Sequence, residues 1–330
     1  NKHKQEKMKL LEFLKQFPDE ELCIHYIKNQ REKCVWNVST PDATIITCNK
    51  SNNRWVCAKC GSGTTLTSGT VMHGSKLPLL YWFTAIHLLT STKKTFSALE
   101  MQHQLGHKRY QPIWEMMHKL RSVMGMRDDR YSLSGSIELD EAFFTSENSD
   151  IEKKNEKLKA GAGSQRKSKV LVMIESTPID DGEKKKGKKD RKPGHLKMKV
   201  LSNLKADTIS EKAEEAISDT GKIIADKSKS HTGIDGKFKE TKTVVIPPEQ
   251  AAKILPWVHT AISNAKSQLL DMYHGIKDEF LQNYLNEFCW KFNRHTFAEH
   301  LFDRLMVASV SYVSTFKHRV YGNINTPSCG

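Results

Sequence analysis

No apolar run in this 330-residue chain approaches the roughly 18–20 residues that a membrane-spanning helix requires. A charged-then-apolar leader is also missing from the start. The chain opens NKHKQEKMKLLEFLKQF, an amphipathic helical pattern, on an Asn that implies a few preceding residues. The expected location is therefore the reducing cytoplasm. Cysteine is scarce, at seven residues, and in that compartment seven thiols argue against a disulfide framework. No internal repeat is found, so a solenoid or propeller is not expected. Acidic residues are in deficit, 38 Asp and Glu against 52 Lys and Arg, which leaves a formal net charge of +14.

What is there follows from that deficit. A pI of about 9.3, with Lys and Arg spread over the whole length, bears on partners rather than on fold. Nucleic acid is the usual partner of such a surface, because neutralised phosphates release condensed counterions. A soluble protein with a solvated lysine surface would have the same composition.

The chain changes character several times. Residues 1–30 read as one or two helices interrupted at Pro18, where PDEEL signals a new helix start. Residues 31–73, with little helical period, read as short strands and knuckles and carry Cys34, Cys48, Cys57 and Cys60. Residues 76–130 are helical. From 131 to 320 the pattern turns to strands (SGSIELDEAFF, SKVLVMIES, HLKMKVLSNL), a helix at 207–219, two further strands in GKIIADKSKSH and KTVVIPP, then helices from 249. Within this part, seven of the twelve residues from 181 to 192 are Lys or Arg, so 180–193 reads as a loop. The order implies a mixed α/β core with helices on its faces.

Cys57-Ala58-Lys59-Cys60 is a C-x-x-C knuckle suited to tetrahedral zinc. The second pair would be Cys34 and Cys48, but Asn37 stands where a second knuckle cysteine belongs. Zinc ligands and reduced structural cysteines both remain open. In SALEMQHQLGHKRYQPIWEMMHKLRSVM two helices flank Gly106, a helix-turn-helix pattern in which Lys108, Arg109, Lys119 and Arg121 would contact DNA. His107 and Gln111 could assist, while Trp114, Met117 and Leu120 are expected to pack inward. An ordinary helical hairpin would read the same way.

Asp140 is expected to close an apolar strand (SIELDEAF) and Asp226 another (KIIADKS). Two carboxylates delivered by adjacent strands can hold divalent cations, since Mg²⁺ takes a few carboxylates plus water and phosphate oxygens, and such a site serves in-line phosphoryl transfer. Two surface aspartates at strand ends are the commoner reading of that pattern alone. Glu138 lies on the same strand face as Asp140 and is an auxiliary candidate.

LSGSIELDEAFF, IIADKS, PWVHTAISNAKSQLL and FLQNYLNEFCWKFNR, in that order, resemble the blocks of bacterial insertion-sequence transposases with an N-terminal zinc ribbon, a family with eukaryotic relatives in the Merlin elements. LTSGTVMHGSKLPLLYWFTAIHLLTSTKKTFSALEMQHQLG is similar to that family's region between ribbon and catalytic core, and the likeness runs from about residue 20 to 318. The resemblance implies an RNase H-like mixed sheet with flanking helices, preceded by a zinc-ribbon-like module and a helix-turn-helix. It implies catalytic, Mg²⁺- or Mn²⁺-binding residues at Asp140, Asp226 and, in the Asp-Asp-Asn branch, Asn264, with Lys266 contacting phosphate. His259 also matches the motif, as a residue that orients substrate or packs the helix.

The reading is thus a DNA transposase, nucleoid-associated and oligomeric on DNA. It would bind terminal inverted repeats and double-stranded target, and catalyse metal-dependent cleavage and strand transfer. Its rival is a catalytically decayed transposase, or a regulator that uses only the ribbon and the helix-turn-helix.

Overall fold

The computed structural model describes residues 8–33, 46–49, 54–57, 63–93, 95–146, 167–180, 189–226, 233–234, 236–244, 247, 250–273, 275–297 and 300–316. The chain divides into two compact units, one made of Asn1–Met126 and Phe297–Gly330, the other of Arg127–Thr296. Among the described residues no helix is long and apolar enough to cross a membrane.

The first unit contains helices α1 (Leu10–Gln16) and α2 (Glu20–Lys33), strands β1 (Ile46–Asn49), β2 (Arg54–Cys57) and β3 (Gly63–Thr65), helices α3 (Leu79–Ser91) and α4 (Ala98–Leu105), most of α5 (Tyr110–Asp129), and α10 (Leu301–Ser311). Its core is aromatic: Phe17 meets Phe83 edge-on at 4.8 Å, and Phe302 of α10 lies 5.5 Å from Phe17. The buried carboxyl-terminal helix thus completes this unit, so the expected segment 131–320 and the second unit differ at their ends. The three strands form an antiparallel sheet in which Cys48 pairs with Trp55 and Ile46 with Cys57.

Helix α4 ends at Gly106, whose left-handed φ of 62° lets its N–H reach back to Gln102 and His103 carbonyls. The chain then turns through His107–Arg109 into α5. Met117 and Leu120 are buried as expected, while Trp114 is only partly so.

The second unit is built on β4 (Ser136–Thr145), β5 (Lys167–Pro178), β6 (Arg191–Leu201), β7 (Lys222–Asp226) and β8 (Glu240–Val244), in the order β6-β5-β4-β7-β8. β4, β5 and β6 pair antiparallel, while β7 lies parallel to β4 and β8 parallel to β7. Period-2 alternation divides the sheet between two helical layers. Ile137, Leu139, Ile223 and Ala225 pack with Ile209, Ala213 and Ala216 of α6 (Ala206–Ala216). Ala142, Phe144, Val170 and Val172 pack with Val258, Ala261 and Ala265 of α8 (Pro256–Met272) and Leu281, Leu285 and Phe288 of α9 (Asp278–Asn293). The short α7 (Ala251–Ile254) precedes α8. A five-stranded mixed sheet with helices on both faces is compatible with an RNase H-like transposase domain.

Two sequence expectations are corrected. Asp140 does not close its strand, because β4 continues to Thr145 along its long antiparallel partner β5. The basic stretch 180–193 is not all loop either: Arg191, Lys192 and Pro193 pair with Pro178, Thr177 and Ser176 and open β6. Residues 181–188 lie outside the described residues.

Candidate active site

Parallel pairing of β4 with β7 runs to Leu139 opposite Ala225, so Asp140 and Asp226 are the next residues on two neighbouring strands, which lie about 4.8 Å apart. Since Leu139 and Ala225 face α6, the alternation turns both carboxylates to the α8 side. Asp226 is the last residue of β7, and Asp140 stands where β4 loses that neighbour. The apolar residues that precede them on each strand are buried, whereas the two aspartates come to the surface on one face of the sheet. Both side chains are partly exposed, and Asp140 Oδ1 accepts the Glu141 N–H at 2.8 Å.

Helix α8 sets a side chain beside Asp140. His259 Nδ1 lies 3.5 Å from Asp140 Oδ2, with both side chains partly exposed. Lys266 follows two turns later, at about 3.6 residues per turn, and so shares the His259 stripe. Its Nζ stands 5.9 Å from the ring centroid of Phe144, four residues beyond Asp140 on the same face of β4. Asn264 is exposed on α8. At about 100° per residue it sits some 140° around the helix from His259. The structure therefore sets His259 beside Asp140, puts Asp226 at the neighbouring position of the adjacent strand, and turns Asn264 to another side of the helix. The sequence motif already names His259, and its spacing from Lys266 puts the two on one stripe.

Glu138, two residues before Asp140, is fully buried and bound to the start of α8. Its Oε2 accepts the Trp257 and Val258 N–H groups at 2.8 and 2.9 Å. It is thus a structural partner of the helix rather than an open ligand.

The donor set suits a hard divalent cation. Among the described residues no three His, Cys, Asp or Glu side chains converge on a common point. A carboxylate pair leaves the other positions to water and phosphate oxygens, the arrangement that Mg²⁺ adopts in phosphoryl-transfer sites.

The DNA-contact candidates in the first unit separate by environment. Lys108 and Arg109 are exposed in the turn between α4 and α5. Lys119 is partly buried, with Nζ 3.4 Å from the His73 carbonyl, and burial pushes its pKa down. Arg121 is fully buried and donates from Nη2 to the Phe96 carbonyl at 3.1 Å, so it cannot reach a phosphate without leaving the core. Cys34 and Cys60 lie outside the described residues, and of Cys48 and Cys57 only the backbone is described, on the paired strands β1 and β2.

No curated protein and no solved structure matches the chain. Residues 132–293, just under half of its length, match the family described as the ISXO2-like transposase domain, which supports an insertion-sequence DDE transposase family.

Proposed function

We propose that the chain is a DNA transposase whose second unit cleaves and joins strands at a site formed by Asp140, Asp226 and His259. The observation that carries this reading is the placement of two aspartates at neighbouring positions of adjacent parallel strands, with His259 of α8 3.5 Å from one of them. Asp140 and Asp226 would hold Mg²⁺ or Mn²⁺, which supplies charge neutralisation at the scissile phosphate and a nucleophile at neutral pH. Water attacks the phosphorus at the transposon end and frees a 3′-hydroxyl. That hydroxyl attacks a target phosphodiester and displaces its 3′-oxygen, so bond number is conserved. Lys266, on the His259 stripe, is suited to a phosphate contact.

His259 takes the third position that the resemblance implied for Asn264. Helix α8 supports this exchange, because a ligand must face Asp140 and Asn264 is turned away. In the first unit Lys108 and Arg109 are our proposed phosphate contacts, within a helix-turn-helix made of α4 and α5. The cysteine-bearing segment is proposed to hold zinc, which metal analysis of the purified chain would test. We expect the protein to work as an oligomer on paired transposon ends in the nucleoid.

The deciding experiment is cleavage of a DNA substrate carrying the element's own ends, with and without metal. Asp140→Ala and Asp226→Ala should reduce cleavage to background while leaving DNA binding intact. His259→Ala should cost about 10–100-fold, the usual range for a group tuning a metal site, and Asn264→Ala far less. If the wild-type chain binds DNA but shows no metal-dependent cleavage, it is a binding protein and the enzymatic reading fails.

A further inference from the structure

Helix α8 begins without a cap of its own. Its N-cap residue is Leu255, which gives no side-chain hydrogen bond, and Pro256 at the first turn has no N–H to offer. The next donors, Trp257 N and Val258 N, would be unpaired in the interior. Both are taken by a single carboxylate oxygen, Oε2 of Glu138, more than a hundred residues earlier in the chain. Its Oε1 accepts the Ser176 hydroxyl at 2.5 Å and lies 3.8 Å from Arg191 Nε.

Arg191 closes the network. It donates to the hydroxyls of Ser136 and Ser176 at 2.6 and 2.7 Å, and its carbonyl accepts Trp257 Nε1 at 2.7 Å. Lys189 lies 4.1 Å from the Trp257 ring centroid and donates to the Pro256 carbonyl at 2.6 Å. One buried carboxylate therefore ties β4, β5 and β6 to the first turn of α8. A buried carboxylate facing a partly exposed guanidinium is a poor source of stability, since desolvation of the carboxylate offsets most of the attraction. What it does well is fix geometry. Glu138 precedes Asp140 by two residues on one strand face, and His259 directly follows the last N–H that Glu138 holds.

We propose that Glu138 is a positioning residue for the reaction: by seating the first turn of α8 on β4 it sets His259 beside Asp140. The proposal rests on the metal-site reading above. It concerns the placement of the helix rather than the identity of the ligands.

The test uses the full chain and Fe²⁺ as a probe, with ascorbate and peroxide, so that hydroxyl radicals cut the backbone nearest the bound iron. In the wild-type protein cuts are expected in three segments, around Asp140, Asp226 and His259. In Glu138→Gln, which keeps the shape but loses the charge, and in Glu138→Ala, cuts around Asp140 and Asp226 should persist while those around His259 fade. Strand cleavage should fall by about 100-fold, the cost of a misplacement near 1 Å, with circular dichroism and DNA affinity unchanged.

The unaltered three-segment pattern in a folded variant overturns the proposal. So does failure of both variants to fold, which would make Glu138 a stability residue only. Absence of cuts near Asp140 and Asp226 in the wild-type chain would instead remove the metal-site reading beneath it.

Discussion

At the scale of single residues, the site turns on which side chain of α8 faces Asp140. HTAISNAK contains two candidates, and only the helix phase separates them: His259 lies beside Asp140, whereas Asn264 is exposed some 140° away. In the proposed site an imidazole in place of a third carboxylate would alter the metal preference, because nitrogen donors suit softer cations than Mg²⁺. We therefore expect Mn²⁺ to support cleavage better than Mg²⁺, and His259→Glu to move the preference toward Mg²⁺. Parallel titrations of both metals would read this out, and an unchanged ratio would remove His259 from the ligand set. The residue types at Asp140 and Asp226 were legible from the sequence, because an apolar run ending in Asp is a local pattern. Which residue of α8 stands beside Asp140 was not, since that depends on which face the helix turns to the sheet.

At the scale of elements, β4 is held at its entry by Glu175 of β5. This carboxylate accepts the Tyr131 hydroxyl, the Ser134 N–H and the His195 N–H, each at 2.9 Å. The Tyr131 ring stacks on His195 at 3.9 Å. Gly194 of β6 is needed there, because a Cβ would stand 2.5 Å from Glu175 Oε2.

Burial alone would raise the Glu175 pKa, but the hydrogen bonds from His195, Ser134 and Tyr131 outweigh it and hold it at about 2, below the ordinary 4.5. A depressed carboxylate stabilises the fold above its unfolded pKa and loses that contribution as pH falls through the folded one. Glu175→Gln should therefore cost about 1–3 kcal/mol near neutral pH, the range for a charged hydrogen-bond acceptor. The deficit relative to wild type should shrink between pH 4.5 and about 2. Urea melts at several pH values would check this, and a pH-independent deficit would contradict it.

The strands and helices themselves were largely legible: GKIIAD became β7 ending at Asp226, and the helix expected at 207–219 became Ala206–Ala216. Less legible was the place of β4 in the sheet, between β5 and β7 and paired antiparallel with one and parallel with the other.

At the scale of the whole molecule, a net charge of +14 makes basic residues plentiful, and burial decides which of them a phosphate could reach. Of the four DNA-contact candidates Lys108, Arg109, Lys119 and Arg121, only Lys108 and Arg109 are exposed, while Arg121 is spent on the core. Lys108→Ala and Arg109→Ala should each weaken DNA binding across sequences and lower the slope of log K against log salt by about 1. Arg121→Ala should instead lower thermal stability. Fluorescence anisotropy at several salt concentrations, beside melting curves, separates the two effects. Equal salt slopes for all three variants would refute the assignment.

The sequence by itself determined a basic chain, a mixed α/β segment from about residue 131, and two aspartates at the ends of apolar runs. Each of these is written in local composition or in period-2 and period-3.6 patterns. Tertiary structure alone decided the order β6-β5-β4-β7-β8, which makes Asp140 and Asp226 neighbours although 86 positions separate them. It also decided the phase of α8 and the cap that Glu138 supplies to it. These are contacts between residues distant in the chain. Such contacts are chosen by packing and by the need to pair buried donors, and neither leaves a mark in any short window of sequence.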